Sequence, residues 1–306
     1  MRNLNKVTLF LLLTFGICYS LAAAFYFIGA QYGGGWGTAM AVLYMFVPMI
    51  VVLIIEKGIH KQPIKYELSI TFSVNRWWFV GWLIMPLIAG LTIGISLFFP
   101  DVIYTPGMEG LMERFASSLT PEQMEQAKAS MEALPIHPIW LALLQGLIAG
   151  ITVNALAGFG EELGWRGFLL KQFKHMSFMK ASLIIGTIWG IWHAPLILMG
   201  HNYPEHPVIG VLMMTVWCIL LTPLFNYIAL KSQSVIAAAI MHGTLNATAG
   251  MAIMIIDGGS DLTVGVTGLA GFIALEVVLI FFFMMDQYLI RDKVFISTIA
   301  ESEELD

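Results

Sequence analysis

Glu161-Glu162-Leu163-Gly164-Trp165-Arg166 stands near the end of an apolar run that covers residues 139–170. A helix of about 20 apolar residues crosses the hydrocarbon core of a bilayer. Three charges therefore sit where charge is costly. The rest of the chain repeats the apolar pattern. Comparable runs cover 7–30, 38–55, 77–99, 181–200, 208–230, 235–256 and 262–285. Hydrophobic residues make up 58% of the 306 and charged residues only 11%, too few to keep a soluble domain of this size in solution. Nothing in the spacing suggests strands. These features predict an all-α, polytopic helical membrane protein with about eight transmembrane helices.

Lysine and arginine set the orientation of such a protein. Lys57, Lys61, Lys65 and Arg76 follow the second run, Lys171, Lys174 and Lys180 the fourth, Lys231 the sixth, and Arg291 and Lys293 the eighth. With eight spans these fall on one side together with Arg2 and Lys6. The opposite loops, 31–37, 101–138, 201–206 and 257–261, carry only Arg114 and Lys128. Both termini are therefore expected in the cytoplasm, with the plasma membrane of a prokaryote as the site of residence. The first run has no small-residue cleavage site followed by a polar region, so it reads as a retained span. Cys18 and Cys218 lie in apolar runs with no CxxC pair, which argues against a disulfide framework. No basic patch with interleaved aromatics points to nucleic acid.

The chain divides into three N-terminal spans (1–100), an extracytoplasmic amphipathic loop (101–138), a membrane core (139–256), and a last span with an acidic tail (257–306). Within the loop, Thr120-Pro121-Glu122-Gln123 reads as a helix start, with Thr120 as N-cap, Pro121 at N1 and Gln123 at N3. A helix from there to about Leu134 would be amphipathic, with Met124, Ala127 and Met131 on one side. The stretch 301–306 is expected to fray. Gly146-x-x-x-Gly150, Gly160-x-x-x-Gly164 and Gly186-x-x-x-Gly190 predict tight packing of the fourth and fifth runs.

Three runs hold the polar residues. Glu162 and Arg166 are at i,i+4 and can pair on one helix face. Glu161 is turned from Glu162 by about 100° and is free to face a cavity. Trp189 and His193 share a face, as do His242 and Asn246. Each set alone has a structural explanation: an ion pair, a buried hydrogen-bonded histidine, an interhelical pair. Depth joins them. Glu161 is ten residues before Lys171, His193 thirteen after Lys180, and His242 eleven after Lys231. At about 1.5 Å per residue, all lie roughly 15–20 Å deep.

Glu161-Glu162-x-x-x-Arg166, Trp189-x-x-x-His193 and His242-x-x-x-Asn246 together resemble the three motifs of the CPBP intramembrane peptidases, also called the type II CAAX prenyl endopeptidase or Abi family. The resemblance covers roughly residues 139–250. Trp189 departs from it, since the family usually has Phe there. The resemblance implies a cavity open to the cytoplasm and peptide-bond cleavage, in some members after a prenylated cysteine. It implies Glu161 as the base that activates water, helped by His193, with His242 and Asn246 stabilising the oxyanion. Glu162, Arg166 and Trp189 would support the motif helices. The family has been described both as metallopeptidases and as metal-free glutamate peptidases. We read the site as needing no cofactor. Zinc on Glu161, His193 and His242 is the alternative. The expected partners are the lipid bilayer and a membrane-anchored protein or peptide substrate. A bacteriocin-immunity or scaffold protein and a proton-coupled transporter are the competing functions.

Overall fold

The computed structural model describes residues 5–30, 32, 35–115 and 120–304. Arg2 and the last two residues of the tail lie outside these. The first span, α1 (Lys6–Phe27), starts where the Asn5 side chain accepts from the Val7 N–H. Its 22 residues reach about 33 Å, the thickness of a bilayer core. It is followed by α2 (Gly35–Leu53), which runs on into a π-helical turn (Ile54–Ile59), and by α3 (Arg76–Ser96), capped by Asn75. Two short helices follow, α4 (Glu109–Phe115) and α5 (Pro121–Glu132). Next come α6 (Pro138–Ile151), α7 (Val153–Glu162) and α8 (Leu170–Gln172), the last two joined by a π-helical segment (Leu163–Leu169). The remainder are α9 (Phe178–Trp192), α10 (Ala194–Leu198), α11 (Pro207–Ser232), α12 (Val235–Thr248), α13 (Leu269–Met284) and α14 (Ile299–Glu303). Two-residue strands β1 (Ile103–Tyr104) and β2 (Ile256–Asp257) pair antiparallel and tie the loop after α3 to the segment after α12.

The lipid-facing surface is legible in the exposed side chains. Phe79, Leu83 and Leu87 form an exposed stripe on α3, and Trp140, Leu144 and Ile148 form another on α6. Such stripes are a liability in water and a match for hydrocarbon. The all-α membrane architecture expected from composition is what the chain adopts. The eight runs do not all become simple spans. Among the described residues, six helices are long and apolar enough to cross a membrane, and a seventh is counted if the bent pair is taken as one span. That pair is the fourth run, which bends by 51° at Thr152, beside Gly150. The fifth run is divided instead. Its helix α9 has 15 residues, about 22 Å, and stops at His193.

The glycine patterns pack tightly, but against helices other than each other. Gly146 and Gly150 lie on α12 beside Thr248 and Thr244, and Gly160 and Gly164 lie on α2. A Cβ at Gly190 would run into the backbone of Thr215 on α11. The helix after Thr120 forms as expected, with a full capping box from Gln123. Met124, Ala127 and Met131 are its half-buried residues among the described side chains.

The acidic tail departs from expectation. It is folded to Glu303, because Thr298 and Glu301 form a second capping box that starts α14. The tail is also hydrogen-bonded to the turn after α8, with the Ile299 N–H donating to Met176 O and the Ala300 N–H to Lys174 O. Ion pairs gather at this end of the bundle: Lys6–Glu56 at 2.8 Å, Lys171–Glu303 at 2.8 Å and Lys231–Asp292 at 2.6 Å. Phe10, one turn into α1, packs on Phe168 just before Lys171, with ring centroids 5.1 Å apart. The start of α1 and the tail are thus at the same end.

Candidate active site

The bend at Thr152 turns α7 into the core and lays it along α12. Close approach is possible because Gly243 meets the Gly150 carbonyl and the Ala155 N–H, where a side chain would collide. Glu161 and Glu162 end α7 and lead into the π-helical segment, a distortion often found at functional sites.

The two glutamates part company as their rotation requires. Glu162 turns inward and is fully buried. Arg166 Nη1 is 3.1 Å from both of its oxygens. The guanidinium also donates to Asn226 and Thr222, at 3.3 Å each, and lies 4.6 Å from the ring centroids of Trp189 and Phe225. The buried cation is thereby paired, hydrogen-bonded and stacked. Glu162 Oε1 accepts from His242 Nδ1 at 2.7 Å, and since a carboxylate only accepts, Nδ1 carries the proton.

Glu161 faces the other way. Its Oε2 accepts from two indoles, Trp189 Nε1 at 2.8 Å and Trp165 Nε1 at 3.3 Å. Its Oε1 lies 3.8 Å from His242 Nε2, beyond direct hydrogen bonding. One oxygen is therefore clamped while the other is left to the cavity beside an imidazole. Glu161 is 2% exposed, His242 3% and His193 8%, so all three are interior yet line the cavity.

His193 sits at the break between α9 and α10. Pro195 has no N–H to give to Ile191 O, so the helix cannot continue. The freed carbonyl accepts from the Tyr19 hydroxyl at 2.7 Å, and Trp192 O accepts from Tyr44 at 2.9 Å. Buried backbone groups need such replacement partners. His193 Nδ1 is 2.8 Å from Trp189 O, a carbonyl that can only accept, so Nδ1 is protonated and Nε2 is the free nitrogen.

Glu161, Trp189, His193, His242 and Asn246 line one cavity of about 610 Å³. The three motifs thus converge. Several partners were not singled out from the sequence: Trp165, Asn226, Thr222 and the tyrosines Tyr19 and Tyr44. Trp165 was within reach of sequence reasoning, because it is at i,i+4 from Glu161. The others come from distant helices whose register no single motif reports.

The zinc alternative can be tested on this geometry. Glu161, His193 and His242 offer the donor types of a His₂Glu set. Their ligand atoms are not gathered, however. Among the described residues, the trio whose ligand atoms lie within 4.8 Å of one another is Glu205, His206 and Asp261. The Asp261 oxygens are occupied there, by the Glu205 N–H at 2.8 Å and by His206 Nδ1 at 2.6 Å, which makes the cluster a loop clasp. As arranged, Glu161, His193 and His242 do not fit a zinc ion.

The cavity also has a direction. From Glu161 its lining continues to Tyr32, Arg114, Glu205 and Asp261. These residues lie in the connections after α1, α3, α10 and β2, at the end of the bundle away from Lys6 and Glu303. Two expectations from the sequence thus exclude each other. If the termini are cytoplasmic, the cavity does not open to the cytoplasm.

Fold and site together define a polytopic helical membrane protein with a buried Glu–His cluster at the floor of an internal cavity. Residues 136–248, which include all three motifs, match the family described as Type II CAAX prenyl endopeptidase Rce1-like. A relative named CAAX prenyl protease 2, from Methanococcus maripaludis, is 43% identical over 49 residues, which is 16% of this chain and 18% of that protein. The chain therefore aligns with under a fifth of that relative's length.

Proposed function

We propose that this protein is an intramembrane endopeptidase that hydrolyses a peptide bond in a membrane-associated protein or peptide. The observation that carries the reading is the Glu161 carboxylate, clamped at Oε2 by two indole N–H groups and free at Oε1 on the cavity floor. The Rce1-like match over residues 136–248 supports the same class of activity.

In this mechanism a water lies between Glu161 and the scissile carbonyl. Oε1 takes its proton as the oxygen attacks the carbonyl carbon. The charge that builds on the carbonyl oxygen is met by the Asn246 amide and by the Nε2–H of a doubly protonated His242, whose ring is held in place through Nδ1 by Glu162. His193 assists through its free Nε2. Collapse of the tetrahedral intermediate breaks the C–N bond, and the proton held by Glu161 passes to the leaving amine. No step passes through a metal. The lysine and arginine distribution supports cytoplasmic termini in a plasma membrane.

Purified wild type and Glu161→Gln are compared on fluorogenic peptides, a prenylated CAAX peptide among them, with and without a chelator. Wild-type cleavage that survives the chelator and is lost in the variant is the expected result. Equal cleavage by both proteins would remove Glu161 from the mechanism. Function retained by Glu161→Gln would favour the scaffold.

A further inference from the structure

We infer that the active-site cavity opens on the extracytoplasmic face, so that the substrate is a peptide segment exposed outside the cytoplasm. The inference rests on the peptidase reading for the word substrate, and on geometry and charge for the side.

Three observations carry it. First, the cavity lining runs from Glu161 to Tyr32, Arg114, Glu205 and Asp261, in connections at the end opposite Lys6 and Glu303. Secondly, the basic residues of the two ends are unequal. Lys6, Lys57, Lys61, Lys65, Arg76, Lys171, Lys174, Lys180, Lys231, Arg291 and Lys293 belong to the terminal end, against Arg114 and Lys128 at the mouth. These residues lie in short loops or close to helix ends, where lysine and arginine govern topology and acidic residues count for little. The terminal end is therefore the cytoplasmic one.

Thirdly, among the described residues no lining residue is shared between the cavity at the terminal end and the one that holds Glu161. A smaller cavity of about 300 Å³ enters there between Tyr66, Lys171 and Glu303, and it reaches Arg166 without touching Glu161, His193 or His242. Arg166, which lines the smaller cavity, packs on Trp189, which lines the larger one, and is fixed to Glu162, Asn226 and Thr222. Phe10 packs on Trp165 and Phe168, and all three are fully buried. A substrate chain approaching from the cytoplasm meets this packing, whereas one approaching from outside meets Glu161. A cytoplasmic C-terminal prenylated cysteine is then on the wrong side, and a segment that has already been exported, or a membrane protein's outer stretch, is on the right one.

The test separates side from activity. Glu205→Cys, exposed at the mouth, and Lys65→Cys, exposed at the terminal end, are placed singly in the full chain and expressed in bacterial cells. A membrane-impermeant maleimide is expected to label Glu205→Cys in intact cells and Lys65→Cys only after permeabilisation. The native Cys18 and Cys218 are buried, and the parent protein supplies the background. The reverse labelling pattern overturns the inference whatever the protein cleaves. A charged, impermeant fluorogenic peptide is then offered to right-side-out and to inverted vesicles. Cleavage in right-side-out vesicles, lost in Glu161→Gln, supports it, and cleavage confined to inverted vesicles overturns it. Cleavage in neither refutes the peptidase reading, and with it the substrate assignment, while the labelling still fixes the face.

Discussion

Glu161 and Glu162 are neighbours in the chain and differ in almost everything else. Glu162 belongs to a closed half of the bundle, where Arg166, His242, Asn226 and Thr222 account for the polar groups around it. Glu161 belongs to an open half, where two indoles hold one oxygen and the second faces a cavity. A rotation of about 100° along one helix separates a carboxylate that fixes structure from one that is free to react. The contrast shows that a buried ion-paired carboxylate and a cavity-facing one can be a single residue apart.

Substitutions can break or sharpen that contrast. The largest effect is expected from Glu161→Gln, a loss of roughly 10²–10⁴-fold in kcat with the thermal unfolding of the detergent-solubilised protein unchanged. Glu162→Gln should show the opposite balance, since it strands the buried Arg166. Arg166→Met, which strands the glutamate, should cost about 3–5 kcal/mol of stability. Denaturant or thermal titration of both variants reads this, and undiminished stability would contradict the closed-half description. A double change of both partners to apolar residues should recover most of the stability and still impair cleavage, because His242 loses its Nδ1 partner.

Trp189→Phe comes next. It keeps an aromatic ring against Arg166 and Phe225 and removes only the N–H that reaches Glu161. A charge-assisted hydrogen bond of this kind is worth about 1.5–3 kcal/mol, so kcat should fall roughly tenfold or more with KM little changed. A fall in affinity alone would mean that the tryptophan shapes the cavity and does not position the carboxylate. The smallest effect belongs to the tail. Hydrogen bonds from the Thr298 backbone N–H and hydroxyl hold the Glu301 carboxyl below the usual glutamate range. The cap is therefore fully present above the ordinary glutamate value and is lost as pH falls through the lowered one. Thr298→Ala, or acid, should lower the amide protection factors across residues 299–303, and Thr298→Ala should leave cleavage at neutral pH unchanged.

Much of this was legible before any coordinates. Helix class followed from apolar length, the Glu162–Arg166 pair from i,i+4 spacing, and the outward turn of Glu161 from its rotation. The surface helix was legible to its cap and its buried face, because capping boxes are local. The tail carried the same signal in Thr298-x-x-Glu301, which overrides the impression left by its acidic composition. What was not legible lies between helices. The bond from His242 to Glu162 depends on how α12 settles on α7. The break at His193 is announced by Pro195, but the hydroxyls that mend it come from α1 and α2. The side on which the cavity opens depends on which ends of the helices splay, and no motif encodes that.

The mending of that break reaches beyond the site. Residues 136–248 hold every motif residue, yet Tyr19 and Tyr44, which complete the backbone around His193, come from outside them. The segment by which the chain is recognised is thus not a portable module. Grafted or expressed without its first two spans, it would present bare carbonyls to hydrocarbon at the very turn that carries a site histidine. The part of the sequence with no motif at all sets the smallest piece of this protein that can be expected to work.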